Sequence, residues 1–203
     1  MDELASADLS RAVAFHGHLC PGLAIGVRVA RIALRELSGP AADEELVAIA
    51  ECDNCSVDAV QALTGCTFGK GNLLFRDYGK TAYTFIRRAD GRGLRIASVP
   101  RPRPEGDAEY VELRAKLEAG MATAEERAQL EELNRKRVLY ILQLPEEQLF
   151  RVQEVQLPVP APAAIRRSLV CSECGEPVME TRARLLGGQP YCIPCFEKCE
   201  SRW

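Results

Sequence analysis

Residues 45–75 read ELVAIAECDNCSVDAVQALTGCTFGKGNLLF. The first part, ELVAIAEC, is rich in β-branched and small apolar side chains and predicts a strand. NCSVDAVQALTG then takes on helical spacing and ends at Gly65, a residue suited to the left-handed conformation that closes helices. NLLF predicts another short strand. This alternation sets the fold class as α+β, and the flanking sequence extends it. Upstream, DLSRAVAFHG predicts a short amphipathic helix, and GLAIGVRVARIALRELSG a longer one that stops at Ser38-Gly39-Pro40. Pro21 suits the first turn of the longer helix, where a missing N–H costs nothing. Gly22 and Gly26, four residues apart, would let another element approach that helical face closely. Downstream, TAYTFIRR, ADGRG and LRIASVP predict a hairpin with a glycine-bearing turn.

After the Pro- and charge-rich break PRPRPEGD, a helical region is expected over residues 107–150. Thr123 and Glu126 have capping-box spacing at the start of its second helix. RVQEVQLPV is a final strand candidate, and PVPAPAAIRR is a semi-rigid linker by composition. We therefore expect a core domain over 1–157, with roughly five strands flanked by helices. A linker over 158–168 and a small domain over 169–203 complete the chain.

The 203-residue chain is 47% apolar, enough to bury a sizeable core. Its formal net charge of −3 exerts no general pull on nucleic acid, which is not an expected partner. The N-terminal MDELASADLS is acidic and polar rather than signal-like, and no apolar run approaches the ~20 residues of a membrane span. A soluble cytoplasmic protein without a membrane partner is expected. Nine cysteines in a reducing compartment point to metal rather than to a disulfide framework. They fall into an early group (Cys20, Cys52, Cys55, Cys66) and a late one (Cys171, Cys174, Cys192, Cys195, Cys199), which suggests two sites in two domains.

CSECGE (171–176) and CIPCFEKC (192–199) hold two Cys-x-x-Cys pairs with 17 residues between them. Tetrahedral zinc takes four soft ligands, and each pair can present two thiolates from one knuckle. The spacing assigns Cys171, Cys174, Cys192 and Cys195 to one structural zinc. A module this short cannot build an adequate core without such a staple. Cys199 is the spare and reads as a free thiol. Arg166, Arg167, Arg182 and Arg184 read as a solvated face rather than a nucleic-acid surface.

AFHGHLCPG (14–22) contains the chain's only two histidines, His16 and His18, with Cys20 beside them. All three can ligate metal or act as base or nucleophile. Cys20 precedes a helix start, where free N–H groups lower a thiol pKa. The bland alternative is a pair of turn-bonded imidazoles and a packed thiol. Cys55, Asp58 and Gln61 follow one another at helical spacing on an otherwise apolar helix, a polar stripe that needs a reason. Asp58 could orient a histidine ring or accept a proton. GCTFGKGN is one residue short of phosphate-loop spacing and lacks the following Ser or Thr, which argues against a nucleotide-hydrolysing P-loop. Lys70 is a weak candidate there for holding an anionic substrate. Cys52 and Cys55 also form a Cys-x-x-Cys, so a redox dithiol competes with, and ranks below, a mixed His/Cys metal site.

At these residues the sequence resembles FmdE, a family named for formylmethanofuran dehydrogenase. FHGHLCPGLAIGVRVA and DAVQALTGCTFGKGN, continuing through LLFRDYGKTAYTF, resemble its two signature stretches. The late cysteine pairs resemble the treble-clef zinc finger that many members append. The resemblance implies a thioredoxin-like core with a mixed five-stranded sheet, and a core site able to hold zinc made by His16, His18, Cys20, Cys55 and Asp58. It also implies association with a molybdenum or tungsten formylmethanofuran dehydrogenase-type oxidoreductase, although the family name does not establish that reaction for this chain.

The leading expectation is a two-domain metalloprotein, either a metal-dependent enzyme or an oxidoreductase subunit. One zinc is structural. A second zinc or other transition metal would sit in the core on His16, His18 and Cys55, with Cys20 near and Asp58 managing a proton. The expected partners are oxidoreductase subunits and a second copy of the chain. One rival is a non-enzymatic accessory protein or metal or cofactor chaperone that docks through its finger. Another is a thiol redox protein using Cys20, Cys52 or Cys55.

Overall fold

A serine hydroxyl starts the first helix. In the computed structural model, which describes residues 4, 6–37, 43 and 45–200, Ser6 accepts the N–H of Leu9 and caps α1 (Ala7–His16). Gly17, at φ 95°, closes the helix in the left-handed conformation that a side chain would resist. α2 (Pro21–Leu37) follows at once, with proline at its first position as expected. The stop expected at Ser38-Gly39-Pro40 lies outside the described residues.

β1 (Leu46–Ala50), α3 (Ser56–Thr64) and β2 (Leu73–Phe75) form the strand–helix–strand unit read from residues 45–75, and β1 and β2 run parallel. β3 (Ala82–Arg87) and β4 (Arg92–Ser98) are the expected hairpin. Then come α4 (Asp107–Glu118), α5 (Ala124–Gln143), the single turn α6 (Glu146–Leu149) and β5 (Phe150–Gln156). Thr123 and Glu126 form the capping box that opens α5. The sheet order is β2-β1-β3-β4-β5, antiparallel except at β1–β2, so the unit is α+β around a mixed five-stranded sheet.

Alternate residues of the central strands put one set of side chains into the core. Ala48 and Ala50 of β1, Tyr83 and Phe85 of β3, and Leu94 and Ile96 of β4 pack with the apolar faces of α1, α2, α3 and the end of α5. A fully buried side chain such as Phe85 contributes about 1.5–3 kcal/mol relative to exposure.

The last carbonyls of a helix lack partners within it. At the end of α5 they are met by Arg28 of α2, which donates to the carbonyls of Ile141, Leu142 and Leu144 at 3.0, 2.6 and 2.8 Å. A cation there also suits the negative end of the helix. Arg28→Met should therefore lower unfolding free energy by about 2–3 kcal/mol, since it strands carbonyls previously bonded to a charged group. Urea denaturation measures this, and a change within the ~0.5 kcal/mol of an ordinary surface substitution would contradict the assignment.

The described chain forms two compact units, Met1–Pro162 and Ala163–Trp203. The second is built from two short hairpins, β6 (Ser168–Val170) with β7 (Pro177–Met179) and β8 (Arg184–Leu186) with β9 (Gln189–Tyr191). α7 (Ile193–Glu200) ends it. Among the described residues no helix is long and apolar enough to cross a membrane.

Candidate metal centres

The second unit gathers Cys171, Cys174, Cys192 and Cys195, whose sulfurs all lie within 4.8 Å of one another. Thiolates of a tetrahedral zinc, each about 2.3 Å from the ion, stand about 3.8 Å apart. The sulfurs of Cys174 and Cys192 are 3.9 Å apart, so the cage has the size zinc requires. The knuckle turn is closed by the Gly175 N–H donating to the Cys171 carbonyl at 2.9 Å, with Gly175 at φ 74°. Backbone N–H groups of Cys174 and Cys192 draw the Cys171 thiol down to about 6. The neighbouring Cys192 sulfur, then burial, pushes Cys195 up to about 12. Four thiols this close cannot all ionise without a counter-charge, and a dication supplies it. Cys199, exposed on α7, stands outside the cage.

The first unit gathers a second donor set. His16 is the last residue of α1, Cys20 lies just before α2, and Cys55 is the residue from which α3 starts. One donor atom from each lies within 4.8 Å of the other two, and all three residues are half-buried. Their approach depends on the small first turn of α2: a Cβ at Gly22 would sit 3.1 Å from the Cys55 Cβ. Gly26 lets α3 lie against α2 in the same way, as its spacing predicts.

Each donor is held by its surroundings. The His16 Nδ1 lies 2.7 Å from Asp58 Oδ2, and a carboxylate only accepts, so Nδ1–H donates to it. Nε2 is thereby left with its lone pair, 3.8 Å from the Cys20 sulfur. Cys20 accepts the Leu23 N–H at 3.3 Å. Burial nevertheless outweighs this bond and, with the nearby Cys55 sulfur, raises the Cys20 thiol rather than lowering it as a helix start alone would. Cys55 has no capping bond to spend its sulfur on. Asn54 does the capping instead, accepting the Ser56 N–H at 3.0 Å and the Ser56 hydroxyl at 2.5 Å. The Ser56 and Tyr83 hydroxyl oxygens are 2.5 Å apart, which anchors this turn to the centre of the sheet.

The remaining sequence candidates fall elsewhere. His18 is exposed and outside the three-donor group, with its ring 4.4 Å from that of His16. Cys52 is buried against the Tyr83 hydroxyl at 3.4 Å, and Cys66 donates to the Leu46 carbonyl from a buried position that pushes its thiol up to about 11. Lys70 donates to the Asp43 carbonyl at 2.9 Å. Gln61, the third member of the polar stripe, accepts the Phe68 N–H at 3.2 Å and braces the following loop. Two contributors lacked any sequence signal. Asn134 of α5 donates to the Leu19 carbonyl at 2.8 Å and pins the turn that carries Cys20. Asn72 bonds Thr67, Asp43 and Leu46, and fixes the loop before β2.

The family model described as FmdE, Molybdenum formylmethanofuran dehydrogenase operon, matches residues 15–151. That of the prokaryotic dksA/traR C4-type zinc finger matches residues 165–200. The chain is 37% identical over 194 residues to a protein of Archaeoglobus fulgidus described as a probable S-adenosyl-L-methionine-binding protein. The match covers 92% of this chain and 52% of that protein, so the chain spans about half the length of the curated relative it matches. A crystal structure of an FmdE-like protein of the tungsten formylmethanofuran dehydrogenase type, from Syntrophus aciditrophicus, superposes with a TM-score of 0.61 at 23% identity. The superposition covers 98% of this chain and 96% of that one, and it shows a shared fold.

Proposed function

We propose that this chain, which belongs to the FmdE family, holds a transition metal in its first unit on His16, Cys20 and Cys55, in addition to the zinc that the four-cysteine cage fits. One observation carries this reading. Asp58 fixes the His16 ring so that its free Nε2 faces the two sulfurs, the arrangement in which ligating histidines are held by a carboxylate. The distance fits as well: imidazole nitrogen and thiolate on one tetrahedral zinc stand about 3.6 Å apart, and here they are 3.8 Å apart. A metal bound by these three donors would supply Lewis acidity at an open fourth position. Around it, Asp58 keeps the imidazole tautomer, and His18 stands beside the His16 ring as a group able to take or give a proton. The helix-bridged parallel pair at one edge of the sheet supports reading the core as thioredoxin-like.

The family's name makes subunits of a formylmethanofuran dehydrogenase-type oxidoreductase the natural partners, with this chain as an accessory component or as a catalytic one. A redox reading uses the same sulfurs differently, with Cys20 and Cys55 forming a disulfide. Metal analysis separates the two. The full chain should carry about two ions, and a His16→Ala, Cys55→Ser variant about one, as the two donor sets require. Asp58→Asn should weaken core metal binding by about 10–100-fold while leaving the four-cysteine cage loaded. An unchanged ion count in the double variant would falsify the core site.

A further inference from the structure

Next to the candidate core centre is a cleft of 440 Å³, within the range that takes small organic ligands. Its inner end is formed by His18, Leu19 and Cys20, and its walls come from α4 and α5. We infer that this cleft is a binding site for a small organic molecule with an apolar or aromatic body and a protonated amino group, its other end directed at the Cys20 side of the centre. The body is argued from Leu19, Tyr110, Leu117 and Leu130, which line the cleft. Leu130 also packs with Leu113 and Leu133, so that wall is backed by a small core of its own. The Tyr110 ring has Arg137 4.1 Å over its centroid, which holds the ring in place as a wall.

The amino group is argued from charge. The lining carries two carboxylates, Glu118 and Glu131, against one guanidinium, Arg114. Arg114 donates to Glu118 at 2.9 Å, and this bond raises its pKa further, so the pair is self-satisfied. Glu131 makes no ion pair among the described residues. Asn134, one helical turn on, spends its N–H on the Leu19 carbonyl and keeps its oxygen as an acceptor. What the cleft offers a ligand is therefore acceptors on the α5 side, which an ammonium complements and a carboxylate opposes. This rests on the proposed metal reading only for the end of the ligand that faces Cys20.

The test uses the full chain, zinc-loaded, and three indoles of nearly equal size: tryptamine, indole-3-acetate and the neutral tryptophol. Calorimetry should show tryptamine binding at least about tenfold more tightly than indole-3-acetate, with tryptophol between them. In amide NMR spectra the shifts should centre on Leu19, Tyr110 and Asn134. Glu131→Gln should abolish the preference for the amine, and Leu117→Trp should fill the cleft and weaken all three. Equal or tighter binding of indole-3-acetate, or shifts centred elsewhere, overturns the inference. Cobalt substitution keeps the two readings apart. A thiolate-to-cobalt band that depends on Cys55, without amine preference, removes the cleft and keeps the centre; amine preference without that band removes the centre and keeps the cleft.

Discussion

Cys195→Ser should unfold the second unit and leave the first intact. Among the described residues of 163–200, the only buried side chains are Cys171 and Cys195, so the unit's interior is its ligand cage. Two-stranded hairpins are marginal in water by themselves, and β6–β7 and β8–β9 have no shared apolar face beneath them. A structural zinc contributes about 10–16 kcal/mol of apparent folding free energy at neutral pH, far more than a module of this size gains from burial. The variant should lose about one zinc per chain, and the amide resonances of 168–200 should collapse to unstructured positions while those of 7–156 persist. Cys199→Ser, at an exposed thiol outside the cage, should change neither quantity. Dispersed finger resonances in the zinc-free variant would show that the hairpins fold without the ion.

The second large effect is expected at Gly26, where two simple arguments give opposite signs. Helix propensity alone favours Gly26→Ala by about 1 kcal/mol, because glycine is a poor residue inside α2. The space around it decides otherwise. A Cβ at this position would lie 2.2 Å from the Ser56 carbonyl oxygen and 2.8 Å from the Ala59 Cβ. The first of these is helix backbone and cannot swing aside as a long side chain would. α3 must move as a whole, at a cost of about 1–3 kcal/mol or more, so the alanine variant should be less stable despite its better propensity. Gly26→Val should be worse still. Ser56 adjoins Cys55, so the displacement should also weaken metal binding in the first unit while the four-cysteine cage keeps its ion. A stabilised Gly26→Ala in thermal or urea unfolding would mean that α2 and α3 are further apart than described.

Much of this architecture is legible in the chain because its signals are local. Periodicity finds β1, α3 and the β3–β4 hairpin, and the Thr123–Glu126 spacing finds the start of α5. The Cys-x-x-Cys pairs find the whole cage. What spacing cannot convey is direction. His16, His18 and Cys20 look equivalent in sequence, but Gly17 turns the chain by a left-handed step directly after His16. That turn leaves His16 and Cys20 facing Cys55 and His18 facing outward. The polar stripe is ambiguous for the same reason: Asp58 meets His16, whereas Gln61, a turn further on, meets the backbone of a loop. The contacts of Arg28 with the end of α5, and of Asn134 with Leu19, join residues more than a hundred positions apart and leave no local trace.

The bond from Asn134 to Leu19 has one more consequence. The donors lie between positions 16 and 58, while the cleft walls are drawn mostly from 110–134, and this single amide is the hydrogen bond that ties the cleft wall to the donor turn. Reactivity and recognition are thus written in separate stretches of the chain. Changes in α4 or on the outer face of α5 can alter what is accommodated without disturbing the atoms that would act on it, and sites without shared partners change nearly independently. A lineage could retune its preference by substitution in the helical hairpin alone, with Asn134 as the position that has to stay.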